Sequence, residues 1–131
     1  VTQPETFAYL AKSQQALKEA RIVLANDLAE AAGRAAYHAA YHAAQAFIFE
    51  RTGKAAKSHN GVRSEFARLA KEEPGIDRSF SAFLARAYNL KARADYAIGD
   101  DISVSVAEAG QAIESAAQFV EGISRLLAPQ G

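Results

Sequence analysis

The chain has no cysteine, no methionine and no tryptophan, and only three prolines in 131 residues. The missing cysteine excludes disulfides and thiolate chemistry and fits a reducing compartment. With few prolines and half of its residues hydrophobic, the sequence reads as neither disordered nor low in complexity. It lacks a charged-then-apolar N-terminal segment of the signal-peptide kind, which makes the cytoplasm the expected location. The chain opens at Val1 without a methionine, so a trimmed natural start is expected. Absent too are a glycine-rich phosphate loop, a Walker motif, a GxSxG elbow and an EF-hand. No pair of carboxylates stands out for acid–base work. No stretch reaches the ~20 apolar residues that a bilayer crossing needs, so no membrane contact is expected.

What the chain does have is alanine in helical register. The stretch from Ala31 to Gly53 reads AAGRAAYHAAYHAAQAFIFERTG, and between Ala35 and Phe49 its only ionisable basic groups are two histidines. At 100° per residue Tyr37, Tyr41, Ala44 and Ile48 form one stripe. His38, His42, Gln45 and Phe49 form the next, and Ala36, Ala40, Ala43 and Phe47 lie opposite. A helix apolar nearly all round is buried on most of its surface. Its alanines favour helix and let neighbouring backbones come close. The stretch is therefore expected to be the central helix of an all-α, single-domain bundle spanning residues 1–131.

The remaining segments supply its neighbours. Thr2, Pro4 and Glu5 have the pattern of a helix start, with threonine as N-cap. Leu10, Ser13, Leu17, Ala20 and Leu24 then recur at helical spacing, with Tyr9, Ala16 and Val23 widening the stripe. Asn26-Asp27 breaks this helix, and Thr52-Gly53 ends the next. Ser58 is placed to cap a short third helix that turns Val62, Phe66 and Leu69 inward, and Pro74-Gly75 stops it. Asp77 can cap a fourth helix with Phe80, Phe83, Leu84, Ala87, Leu90, Ala94 and Ile98 inward, and Gly99-Asp100-Asp101 reads as a turn. Ser105 and Glu108 make a capping box for the last helix. There Val106, Gly110, Ile113, Ala117, Val120, Ser124 and Leu127 form a seam suited to antiparallel packing. The expected architecture is an up-and-down four-helix bundle with one additional short helix.

Formal charge is zero, with fifteen cationic and fifteen anionic side chains, but it is unevenly spread. Between Arg51 and Arg93 ten basic residues stand against four acidic ones. After Ala94, Arg125 alone faces Asp95, Asp100, Asp101, Glu108, Glu114 and Glu121. Such a middle could hold phosphates, or the two regions could be solvated faces that pair within the bundle or across a dimer. His38 and His42 have the i, i+4 spacing of helix-borne metal ligands, but HAAYH lacks the glutamate of HExxH and no acidic cluster completes a site. The two histidines read instead as buried or interface groups, so no metal and no cofactor is expected. The segment YNLKARADY, Tyr88 to Tyr96, is denser in function. Asn89, Arg93 and Tyr96 share one stripe, and Lys91 and Asp95 pair beside Tyr88. The set suits a solvated charge pair, or a surface that stacks a base and holds a phosphate. His59 in KSHNGVR could face the same cleft, with Ser58 and the first turn of the third helix offering anion donors.

Three stretches together resemble the HEPN (higher eukaryotes and prokaryotes nucleotide-binding) domain family: GRAAYHAAYHAAQAFIFERTGK from Gly33, KSHNGVRSEFARL from Lys57 and RAYNLKARADY from Arg86. They are most similar to its small stand-alone bacterial and archaeal branch. The resemblance implies a helical bundle, a homodimer, and often a minimal nucleotidyltransferase encoded alongside as the other half of a toxin–antitoxin pair. It implies RNA or a nucleotide as ligand. His59 matches the loop histidine of the branch, Asp95 and Tyr96 its ADY ending, and Tyr37 and His42 its central-helix signature. Lys91 stands where related sequences often carry arginine. Many members are metal-independent ribonucleases with an Arg-x(4–6)-His motif. Here Arg34 precedes His38 and His42 by three and seven intervening residues and Arg51 precedes His59 by seven, so the standard motif is absent. Any cleavage would rest on His59 as acid or base, with Lys91 or Arg93 facing phosphorane charge. Ser58, Asn89, Asp95, Tyr96, Tyr37 and His42 are the expected nucleotide- or RNA-binding set. The leading reading is a nucleotide- or RNA-associated module of a two-gene pair. The alternatives are an active endoribonuclease toxin and a non-catalytic protein-interaction bundle.

Overall fold

The computed structural model describes residues 3–96, 98 and 104–128. Five helices follow in order: α1 (Pro4–Ala25), α2 (Ala29–Thr52), α3 (His59–Ala70), α4 (Arg78–Tyr96) and α5 (Val106–Leu127). No strand occurs among the described residues. α2 lies at the centre, against all four others, while the backbones of α4 and α5 stay apart and meet through side chains.

Alanine is what allows this arrangement. Ala32, Ala36, Ala39, Ala40, Ala43, Ala44 and Ala46 have no solvent exposure, so α2 meets neighbours on nearly every side without long side chains holding them off. α1 comes close enough for the buried Ser13 hydroxyl to donate to the Ala39 carbonyl at 2.9 Å. The bulk that alanine leaves out is supplied from the ends and the outer helices. Phe47 meets Phe66 at 5.5 Å between ring centroids, and Phe119 of α5 gathers Phe66, Phe80 and Phe83 at 5.2–5.8 Å.

The helix ends follow the sequence pattern in most places. Asn26 and Asp27 end α1, Asp27 turning with φ 61°. Gly53 ends α2 at φ 73°, a left-handed conformation that glycine adopts without strain. Ser58 caps α3, the Asp77 carboxylate accepts from the Ser79 amide, and the Ser105–Glu108 capping box opens α5.

Other expectations need correction. The N-cap of α1 is Gln3 and its side chain makes no cap bond; Thr2 lies outside the described residues. The cap comes instead from α2. Glu50 Oε1 accepts from the Gln3 backbone N–H at 3.1 Å and from the Thr6 hydroxyl at 2.9 Å. Ile98 does not face inward: it is 89% exposed beyond the end of α4. Val106 is also exposed: Ile113, Val120 and Leu127 of the expected seam are buried, but the buried face of α5 widens toward Ala109, Ala112, Ala116, Phe119 and Ile123 and away from Val106. The turn at Gly99-Asp100-Asp101 lies outside the described residues.

Replacing Ala39→Leu should cost about 1–3 kcal/mol in urea unfolding, because helix propensity barely changes while the interhelix gap is overfilled. Glu50→Ala should cost about 1–2 kcal/mol by the same measurement, the usual worth of a lost N-terminal cap. No effect from either would remove the close-approach account of the core.

Candidate functional site

The site starts from a polar zipper along one edge of α2. Tyr37, Tyr41 and Gln45, four residues apart, each bond to the segment entering α3. The Gln45 amide donates to the Ala56 carbonyl at 2.9 Å, the Tyr41 hydroxyl donates to the Lys57 carbonyl at 2.6 Å, and the Tyr37 hydroxyl is hydrogen-bonded to His59 Nδ1 at 2.8 Å. His42 joins from the next position, its Nδ1–H donating to Gln45 Oε1 at 2.7 Å. The start of α3 is thus fixed relative to α2. Its Ser58 Oγ accepts from the Gly61 N–H at 2.9 Å, and a Cβ on Gly61 would lie 2.7 Å from that oxygen, so a larger residue there would force the cap to shift. The amides of His59 and Asn60, in the first turn, have no partner within the helix.

α4 closes the other side. Tyr88 lies 5.5 Å from both Tyr37 and His59, ring centroid to ring centroid, and the Arg63 guanidinium sits 4.1 Å over its face. Arg63 also donates to Asn60 Oδ1, while its buried Nε–H has no partner. One turn further on, Lys91 Nζ pairs with Asp95 at 2.6 Å, and Arg34 of α2 approaches the same carboxylate at 3.6 Å while donating to the Ala94 carbonyl. The result is a groove between α2, α3 and α4. Arg34 and His38 line one side, Lys91 and Tyr88 the other, and His59 and Arg63 its end. Among the described residues Asp95 is the one carboxylate ion-paired in it.

The electrostatics follow from this crowding. Burial pushes the Tyr37 hydroxyl well above the usual phenol range, with Tyr41 adding to the rise. Tyr41 is raised in the same way, burial first. His38, which stays exposed at one edge, falls below its ordinary value through partial desolvation, then through His42, Lys91 and His59, against an opposing pull from Asp95. His59 falls for similar reasons: desolvation first, then Lys91 and Arg63. Lys91 is raised by its bond to Asp95. Both histidines are therefore neutral near pH 7 within a cationic setting.

Not all residues singled out from the sequence meet here. His59, Lys91 and Asp95 do. Tyr37 is 0% exposed, so it cannot touch a ligand and acts only through His59. The Nδ1 of His42 is taken up by Gln45, and Ser58 spends its oxygen on the cap. Asn89 and Arg93 belong elsewhere. They lie about 150° round α4 from Tyr88, Lys91 and Asp95, lining a cleft of ≈ 630 Å³ between α4 and α5 with Arg86, Leu90, Gln111 and Ser115. There Arg93 makes a two-pronged bridge to Glu108, at 2.8 and 3.0 Å, which holds that carboxyl down at about 2. Tyr96 ends α4 with 78% of its surface exposed. Arg34 and Arg63 were not in the expected set, and Tyr88 was marked only as part of the Tyr88–Tyr96 segment. Arg63 could have been found by its i, i+4 spacing from His59, and Arg34 by the same spacing from His38. Among the described residues no three His, Cys, Asp or Glu side chains come together to hold a metal.

An all-helical bundle with a basic, aromatic-walled groove between its central helix and two neighbours is the class of protein that fold and site define. The chain belongs to the HEPN domain family, whose model matches residues 8–126. HEPN domains are as a family associated with nucleotides and RNA. No curated protein matches the sequence. Among the described residues no helix is long and apolar enough to cross a membrane.

The depressed histidines have a consequence for stability. Unfolded imidazoles titrate near 6.5, and His38 and His59 do so lower when folded, so the unfolded chain takes up protons first as pH falls. Their contribution is complete above 6.5 and is lost as pH drops through the folded values. Thermal melting should shift down between roughly pH 7.5 and 5.5, and a His38→Gln/His59→Gln double variant should flatten that part of the profile. An identical profile in the variant would refute the assignment.

Proposed function

We propose that the α2–α3–α4 groove binds the phosphates of a nucleotide or of single-stranded RNA. The carrying observation is the convergence of Arg34, Arg63 and Lys91 with two neutral histidines around a single carboxylate that two of the cations already share. The positive excess is held in a partly desolvated groove, where it acts more strongly than on an open surface. The exposed edge of His38 offers a surface against which a base can stack, while the Tyr88 face is already covered by Arg63. Asp95 orients Arg34 and Lys91, and the free amides of the first turn of α3 add donors. Arg93, engaged by Glu108 on the other flank, takes no part in this groove.

The wider role proposed is that of a homodimeric component of a two-gene, toxin–antitoxin-like pair with a minimal nucleotidyltransferase. Family membership and the resemblance to the small stand-alone branch support it. A nucleotidyltransferase in the neighbouring reading frame that co-purifies with this chain would strengthen it; an unrelated neighbour would count against it. A second reading, metal-independent RNA cleavage, draws support from the neutral imidazole of His59 standing beside two cations, with His59 as acid or base and Lys91 opposite the charge that develops on phosphorus. Cleavage by the purified protein that survives His59→Ala would end that reading.

Binding of a twelve-residue oligouridylate, followed by fluorescence anisotropy, tests the groove. Lys91→Ala and Arg63→Ala should each weaken binding by about three- to tenfold and make its salt dependence shallower by about one phosphate contact. Arg93→Ala should leave it near wild type. Equal effects from all three would point to non-specific attraction. An absence of binding by the wild-type chain would favour a bundle used only for protein contacts.

A further inference from the structure

We propose that Tyr37 is a positioning residue that fixes His59 with its ring proton on Nε2, so that His59 meets its ligand as a hydrogen-bond donor to an anionic oxygen and not as a base. The donor role toward phosphate rests on the function proposed above; the tautomer does not.

The hydrogens around one bond decide the tautomer. The Tyr37 side chain has no solvent exposure, and His59 Nδ1 is the only hydrogen-bond partner of its hydroxyl among the described residues. His38, Tyr41, His59 and Tyr88 surround the phenol ring at 5.5–5.9 Å between centroids, which leaves the hydroxyl hydrogen no water to turn to. Were the imidazole to carry its proton on Nδ1, that N–H would donate to the Tyr37 oxygen and the phenolic hydrogen would be buried without an acceptor. With the hydroxyl donating to Nδ1, both groups are satisfied. The neutral ring must then hold its hydrogen on Nε2. Nε2 has no protein partner and is not among the buried unpartnered atoms, so it opens to solvent in the groove. The same count disfavours a doubly protonated ring, which would also orphan the phenolic hydrogen.

The groups facing the ring agree with a donor. Arg63 of α3 and Lys91 of α4 flank it, His38 of α2 lies beyond, and Asp95 is tied to Lys91 and Arg34. An N–H pointing into that company is matched by a phosphate oxygen. It is not set to take a proton from a hydroxyl group, which would need a lone pair on Nε2. Loss of that Nε2 proton would leave an imidazolate, so a ring held this way binds the phosphate, which weighs against His59 as the acid or base of a cleavage step.

Ring ¹⁵N correlations of the full, ligand-free chain near pH 7.5 read the tautomer directly. His59 should show a protonated Nε2 and an unprotonated Nδ1; the reverse assignment overturns the proposal. Tyr37→Phe keeps the ring that fills the core and removes only the hydroxyl. In that variant, once circular dichroism shows it folded, both His59 nitrogens should move toward the average of the two tautomers. Oligouridylate affinity should fall about three- to tenfold, the scale of one lost hydrogen bond. Unmoved nitrogen shifts in the folded variant would reduce Tyr37 to a packing residue and also overturn the proposal. The wild-type spectrum decides the tautomer even if the variant does not fold. A wild-type chain that shows the expected tautomer but binds no oligonucleotide sinks the RNA reading and leaves the Tyr37–His59 assignment standing.

Discussion

The structure depends on how near other helices can come to α2. Alanine at seven fully buried positions brings the backbones close enough for a side-chain hydroxyl on α1 to reach a main-chain carbonyl of α2. That closeness restricts chemistry elsewhere on the helix. Where α1 and α5 press against the middle of α2 there is no room for long polar side chains, so the polar residues of that part gather on the edge toward α3 and α4. Arg34, His38 and His42, each four residues on from the last, mark that edge, and Tyr37 and Tyr41 lie just inside it. The location of the groove is thus a consequence of core packing and not a separate feature laid over it.

The charge pattern follows the same geometry. A formal charge of zero conceals two different uses of cations on α4. Lys91 is paired within its own helix and shares its carboxylate with Arg34, which leaves the groove positive. Arg93, two positions later, is carried round to the other flank, where Glu108 neutralises it and α4 is tied to the start of α5. Exposed pairs of this kind contribute little to stability. Their importance is positional: one leaves an unbalanced field in a partly buried groove and the other removes a cation from any role in it.

Periodicity and end signals made most of the fold legible. The five helices, the caps at Ser58 and Ser105, and the stops at Asn26-Asp27 and Gly53 are local patterns, and local patterns survive folding. The features that were not legible depend on partners far away in the chain. The cap of α1 is Glu50, more than forty residues distant, so no motif near Thr2 could reveal it. Val106 and Ile98 lie at helix ends, where a stripe outlasts the neighbour that would have buried it. Asn89, Arg93 and Tyr96 were rightly grouped on one side of α4, but a helical projection does not say which side faces α2. Tyr37 shows the limit most clearly. The family signature marks its position, but only the fold shows that its hydroxyl is enclosed and serves another side chain.

The three bonds from Tyr37, Tyr41 and Gln45 join the core to the groove. Residues four apart on α2 take successive partners at His59, Lys57 and Ala56, so the connection runs back along the helix that precedes it. A segment that reads as a polar loop is thereby held as firmly as a helix flank, and its histidine is oriented by a group that water does not reach. Sites gain most from side chains whose own rotamers are locked by packing and hydrogen bonds. In this chain the locking residues belong to the central helix itself, so the same stretch that sets the distances in the core also sets the direction of the imidazole. A change that loosened α2 would therefore disturb the groove before it unfolded the bundle, because the zipper has only three members and each supports the placement of the next.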